Sequence, residues 1–88
     1  MKATLGEKGL AQTWQKKFPK TTPCCKCVGT ARIAFVAHEG LVFRDREPYL
    51  YQIHKNAGRG KRWVHAQTSF AVYLCRECLE PTALYNQA

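Results

Sequence analysis

The chain has 88 residues and a mass of 10.0 kDa, room for one domain and too little for a large multi-substrate enzyme. Hydrophobic residues make up 45% and charged residues 23%, a globular balance that argues against wholesale disorder. The formal net charge is +8, spread over residues 1–23 and 24–88 alike, so it points to a polyanionic partner rather than a detachable basic tail.

In chain order, residues 1–23 read as an N-terminal arm. Leu10, Trp14 and Phe18 are four apart and would share one face of a short helix. Gly6 and Gly9 weaken any helix before Leu10. Pro19 and Pro23 end it and keep the approach to the first cysteines extended. An exposed Trp–Phe stripe would be an apolar patch, so Trp14 and Phe18 are expected to fold back onto the rest of the chain. Met1 to Phe18 holds no apolar run long enough for a signal-peptide core, and no stretch has the length of a membrane span. A cytoplasmic location without membrane association is the expectation.

Residues 24–88 read as a β-rich domain. Ile33, Phe35 and Ala37 alternate with Ala34, Val36 and His38. Glu39-Gly40 suits a hairpin turn into Leu41-Val42-Phe43, and Arg44 to Pro48 is a polar break. Tyr49, Tyr51 and Ile53 alternate with Leu50 and Gln52. Asn56 to Gly60 is a flexible loop. Trp63-Val64-His65 and Phe70 to Leu74 complete about five short antiparallel strands. Glu80 to Tyr85 is expected to form a short C-terminal helix with Pro81 in its first turn.

The chemistry is concentrated in five cysteines. Cys24-Cys25-Lys26-Cys27 and Cys75-Arg76-Glu77-Cys78 each contain a CxxC pair. A two-residue spacer lets two thiolates converge from one tight turn, whose backbone amides can point at the sulfurs. Two such turns supply the four tetrahedral sulfurs that structural Zn²⁺ takes. The odd count and a reducing compartment argue against a closed disulfide set. A small domain also benefits from such a staple. Cys24, Cys27, Cys75 and Cys78 are therefore the expected metal ligands, with Cys25 the spare thiol and a substitute ligand for the first pair. A closed four-cysteine shell leaves no open position for chemistry, so no catalytic residue and no small-molecule substrate are expected. His38, His54 and His65 lack the spacing of a helical metal pair. Glu39, Asp45 and Glu47 sit in expected turns and form no carboxylate pair.

The two cysteine pairs resemble those of the zinc-ribbon and treble-clef families. Cys24 to Gly29 looks like a zinc knuckle, whose usual form has Pro inside the pair and Gly immediately after it. Here Pro23 precedes the pair and Gly29 follows one place later. The second pair, Leu74 to Leu79, has no trailing Gly and runs into the expected helix. A strand, a CxxC pair and a helix are similar to a treble clef. The resemblance implies a small β-rich domain built around a structural Zn²⁺.

Lys55, Arg59, Lys61 and Arg62 surround Gly58 and Gly60 with no acid among them. Such a loop can approach phosphates closely, and Trp63 beside it can stack on a base. Its spacing excludes a P-loop. Tyr49, Tyr51 and Tyr73 are either further stacking faces or half-buried strand residues. The function expected is a nucleic-acid-binding module, of DNA or RNA. The alternative is a protein-interaction adaptor that meets an acidic protein surface through the Trp14–Phe18 arm or a sheet edge. A rubredoxin-like iron electron carrier is the third reading, since iron takes the same thiolates.

Overall fold

A computed structural model describes residues 2–13, 16–39, 50–54 and 68–87. Five antiparallel strands form one sheet: β1 (Lys2–Leu5), β2 (Thr21–Pro23), β3 (Thr30–His38), β4 (Thr68–Cys75) and β5 (Pro81–Gln87). The order across the sheet is β1-β3-β4-β5, and β2 shares the β1 side of β3. β2 pairs with residues 30–32 of β3, and β1 pairs with residues 35–38.

Between those two stretches β3 carries an irregularity. Ile33 lies opposite Tyr73, yet Phe35 lies opposite Val72, so Ala34 is an extra residue on the β3 side. Such a bulge reverses which parity faces inward. Ala31 and Val36 are therefore both buried, although strict alternation would set them on opposite faces. From β4, Ala71, Tyr73 and Cys75 face the same way.

The core lies between this face and the segment joining β1 to β2. Gly6–Gly9 is a single 3-10 turn, and the chain then runs irregularly. Leu10 and Phe18 are buried against Ala31, Val36, Ala71 and Tyr73, with Ile33 and Leu84 at the margin. Phe18 N–H donates to the Leu10 carbonyl at 3.1 Å. That bond folds the segment back on itself. The fully buried Tyr73 donates its hydroxyl to the Pro19 carbonyl at 2.6 Å. Phe18 thus folds back as expected, but not from a helix. Trp14 lies outside the described residues.

Two further expectations need correction. Of the strand expected over Tyr49 to Ile53, the described part is not a strand: Leu50–His54 is a short helix, α1. Short apolar runs fit either period, and here a buried side chain decides. The Glu39 carboxylate is only 3% exposed; it accepts the Leu50 N–H and, at 3.1 Å, the Thr68 N–H. Glu39 is therefore an internal tie between the end of β3, α1 and the start of β4. The C-terminal helix expected over 80–85 is the edge strand β5, paired with β4 from Pro81↔Leu74 to Gln87↔Thr68. Proline is tolerated at the first residue of an edge strand, where no ladder donor is needed. The expected strands at Leu41–Phe43 and Trp63–His65 lie outside the described residues. No helix among the described residues is long and apolar enough to cross a membrane.

Candidate metal centre

Both cysteine pairs are hairpin turns. Pro23 pairs with Thr30 in the β2–β3 ladder, and Cys24 N–H donates to the Gly29 carbonyl at 2.9 Å, so residues 24–29 close one hairpin. Leu74 pairs with Pro81 in the β4–β5 ladder, and Cys75 N–H donates to the Glu80 carbonyl at 3.2 Å, so residues 75–80 close the other. β3 and β4 are neighbours with Ala31 opposite Cys75. The register therefore delivers both turns to the same end of the sheet, and Arg76 N–H donates across to the Thr30 carbonyl at 3.2 Å.

The result is a cluster of four sulfurs, from Cys24, Cys27, Cys75 and Cys78, all within 4.8 Å of one another. Cys24 and Cys78 are 3.6 Å apart, Cys27 and Cys75 3.5 Å, and Cys27 and Cys78 3.7 Å. Sulfurs at the corners of a tetrahedron with metal–sulfur bonds of about 2.3 Å stand about 3.8 Å apart. The observed separations approach that edge length, so the four thiols could hold a metal ion. None of them is in a disulfide.

The turns also present amides to the sulfurs. Lys26 and Cys27 N–H groups both donate to Cys24 Sγ at 3.4 Å. Gly29 N–H donates to Cys27 Sγ at 3.3 Å, and Glu77 N–H to Cys75 Sγ at 3.4 Å. The amides of Cys78 and Glu77 hold the Cys75 thiol down at about 6, and those of Cys27 and Lys26 lower Cys24. The Gly29 amide pulls Cys27 the same way. Hydrogen bonding with the sulfurs of Cys75, Cys24 and Cys78 outweighs it and pushes Cys27 up to about 12. Against the lowering pull of the Glu80 amide, desolvation and the sulfurs of Cys75 and Cys24 raise Cys78. One thiol in each turn is thus poised to ionise while its neighbour resists a second negative charge. A divalent cation at the centre removes that repulsion.

Gly29 stands where the knuckle needs a residue without a side chain. A Cβ there would lie 3.1 Å from Cys75 Sγ and 3.2 Å from Cys27 Sγ. The glycine that follows the first pair one place late therefore donates to one sulfur and makes room for two. In the second turn Leu79 adopts a left-handed φ of 61°.

Cys25 is exposed and stands outside the cluster. Its Sγ donates to the Pro81 carbonyl at 3.5 Å, and its N–H donates to Thr82 Oγ1 at 3.2 Å. Among the other residues singled out in the sequence, His38 lies on β3 and His54 at the end of α1, neither in the sulfur cluster. Tyr73 is core rather than a stacking face. Lys55, Arg59, Lys61, Arg62 and Trp63, with Tyr49, His65, Asp45 and Glu47, lie outside the described residues. Sequence reasoning missed Glu39; nothing in Glu39-Gly40 distinguishes a buried tie from a solvated turn. The chain matches no family model, no curated protein and no solved structure.

Proposed function

We propose that this chain is a zinc-ribbon-like domain whose four cysteines hold one structural Zn²⁺, and that it acts as a nucleic-acid-binding module. The near-tetrahedral spacing of the four sulfurs carries the metal reading. The donor set fits: four thiolates from two hairpin turns suit zinc in a structural role, with the amides of Lys26, Cys27, Gly29 and Glu77 offsetting the thiolate charge. Zinc there would pin the β2–β3 turn to the β4–β5 turn. Two CxxC turns closing two hairpins favour the zinc-ribbon likeness over the treble clef, because β5 stands where the helix would be.

The nucleic-acid reading is supported by the net charge of +8 and by the run Lys55, Arg59, Lys61 and Arg62 beside Trp63. A fluorescence titration with mixed oligonucleotides at several salt concentrations tests it. Binding should weaken steeply with salt. In Arg59→Ala/Arg62→Ala the slope of log affinity against log salt should become shallower by about 1.4–1.8, the loss of two phosphate contacts. No binding by the wild-type chain at low salt, or equal slopes for both proteins, counts against nucleic acid. The metal reading is tested separately by chelation. Structural zinc contributes about 10–16 kcal/mol to small zinc domains, more than a domain of this size holds in reserve, so a chelator should abolish the cooperative melt.

A further inference from the structure

Among the described residues, β5 is an edge strand with few of the usual protections. It runs seven residues, Pro81–Gln87, in unbroken register with β4, without a charged residue and with proline only at its first position. Natural edges of this length are commonly blunted by charge, a bulge or internal proline, because their outward N–H and C=O groups can pair with another strand. Beside this edge runs a groove of about 720 Å³. One wall is Ala83–Asn86 of β5, and the other is Lys16, Lys17, Phe18 and Pro19. Asn86 fastens the second wall in place by donating to Thr13 Oγ1 at 2.8 Å and to the Lys16 carbonyl at 3.2 Å. The lining is apolar at Phe18, Pro19, Leu84 and Tyr85 and cationic at Lys16 and Lys17, with no carboxylate. Neither lysine is in an ion pair with a described carboxylate; the pairs among the described residues are Lys20–Glu7 and Lys26–Glu80.

We propose that this groove binds an extended acidic segment of a partner protein, added as a strand to the open edge of β5. Main-chain bonds to β5 would supply register. Alternate side chains would then point to the apolar wall and to the lysines. Charge selects this occupant over a second copy, which carries the same lysines and the same +8, so self-pairing would set like charges together. The proposal uses no residue of the Lys55–Arg62 run, and it stands or falls independently of nucleic-acid binding.

The test uses the full chain as purified and a fluorescein-labelled octapeptide of alternating Glu and Val, with alternating Lys and Val as the charge-reversed control. The Glu–Val peptide should raise anisotropy and shift the amide resonances of Ala83 to Asn86, and the Lys–Val peptide should do neither. Lys16→Ala/Lys17→Ala removes two exposed side chains and should weaken binding about two- to thirty-fold. Ala83→Glu, on the groove wall with both lysines intact, should weaken it as well. Amide shifts confined to residues away from β5, or binding unchanged in both variants with unaltered melts, would overturn the proposal. So would equal binding of the Lys–Val peptide. Two rival occupants have their own signatures: concentration-dependent shifts at Ala83–Asn86 without peptide would assign the edge to a second copy, and an oligo-dT that displaces the peptide while shifting those amides would assign it to nucleic acid.

Discussion

Replacing Gly29 with alanine probes how tightly the first knuckle wraps its sulfurs. The new Cβ would lie 3.1 Å from Cys75 Sγ, 3.2 Å from Cys27 Sγ and 3.2 Å from Glu77 Oε2. The Glu77 carboxylate is the end of a flexible side chain and can move aside. The two sulfurs could not if they hold an ion, because metal–ligand distances would be fixed to within about 0.2 Å. Overpacking of this kind costs about 1–3 kcal/mol, and the stiffer unfolded chain returns about 0.4–1 kcal/mol. The net loss of about 1–2 kcal/mol corresponds to an apparent zinc affinity about five- to thirty-fold weaker, measured by competition with a chromophoric chelator. Because folding and metal binding are linked, affinity alone does not locate the damage. Cobalt substitution does, since the visible bands of Co²⁺ respond to the geometry of its thiolate shell. Gly29→Ala should perturb those bands. Gly6→Ala supplies the contrast: Gly6 has φ +67° and nothing within 4 Å of its would-be Cβ. That variant should lose about 0.5–1 kcal/mol, backbone strain less the stiffer unfolded chain, and keep the wild-type cobalt spectrum. A Gly29→Ala protein with wild-type affinity and an unchanged cobalt spectrum would refute the close-wrapping argument.

Leu79 pays for its left-handed φ with strain, so Leu79→Gly should gain about 0.5 kcal/mol after the added chain entropy, a Tm rise of about 2–4 °C; a comparable fall would contradict strain at this turn. Cys25→Ser should keep one zinc per chain by elemental analysis and a near-unchanged melt, because its sulfur faces Pro81 rather than the cluster; loss of zinc would make Cys25 a ligand. Tyr73→Phe should cost about 1 kcal/mol in urea unfolding near neutral pH, through loss of the bond to Pro19. Burial also raises the Tyr73 hydroxyl above its ordinary range, so the folded state favours the neutral phenol. Its contribution is therefore complete below about pH 10 and is lost as pH rises through the raised value; Tyr73→Phe should flatten that alkaline decline, and an unchanged decline would assign it to other groups.

The knuckles were legible because spacing alone specifies them: Cys24–Cys27 and Cys75–Cys78 can each form a tight turn whatever surrounds them. β3 and most of β4 were legible from their β-branched and aromatic alternation. What failed depends on contacts distant in sequence. β2 is three residues long and exists by pairing with Ala31 and its neighbours. The bulge at Ala34 reverses the inward face, so that Val36 rather than Phe35 joins the core. Leu10 and Phe18 were expected on one face of a short helix; a turn closed by one backbone bond brings them together instead. β5 carried no clear period-two signal in its residue types: Thr82, Leu84 and Asn86 are less exposed than Ala83 and Tyr85, yet two of those three are polar and Tyr85 is aromatic. Glu80 to Tyr85 reads as a short helix with Pro81 in its first turn, as in a treble clef.

Zinc K-edge X-ray absorption on the protein as purified tests the metal reading most directly. Four sulfur scatterers at about 2.3 Å, with no nitrogen or oxygen in the shell, is the predicted spectrum. A shell containing two or more light atoms, or protein that purifies without zinc and still melts cooperatively, would contradict a structural four-cysteine centre.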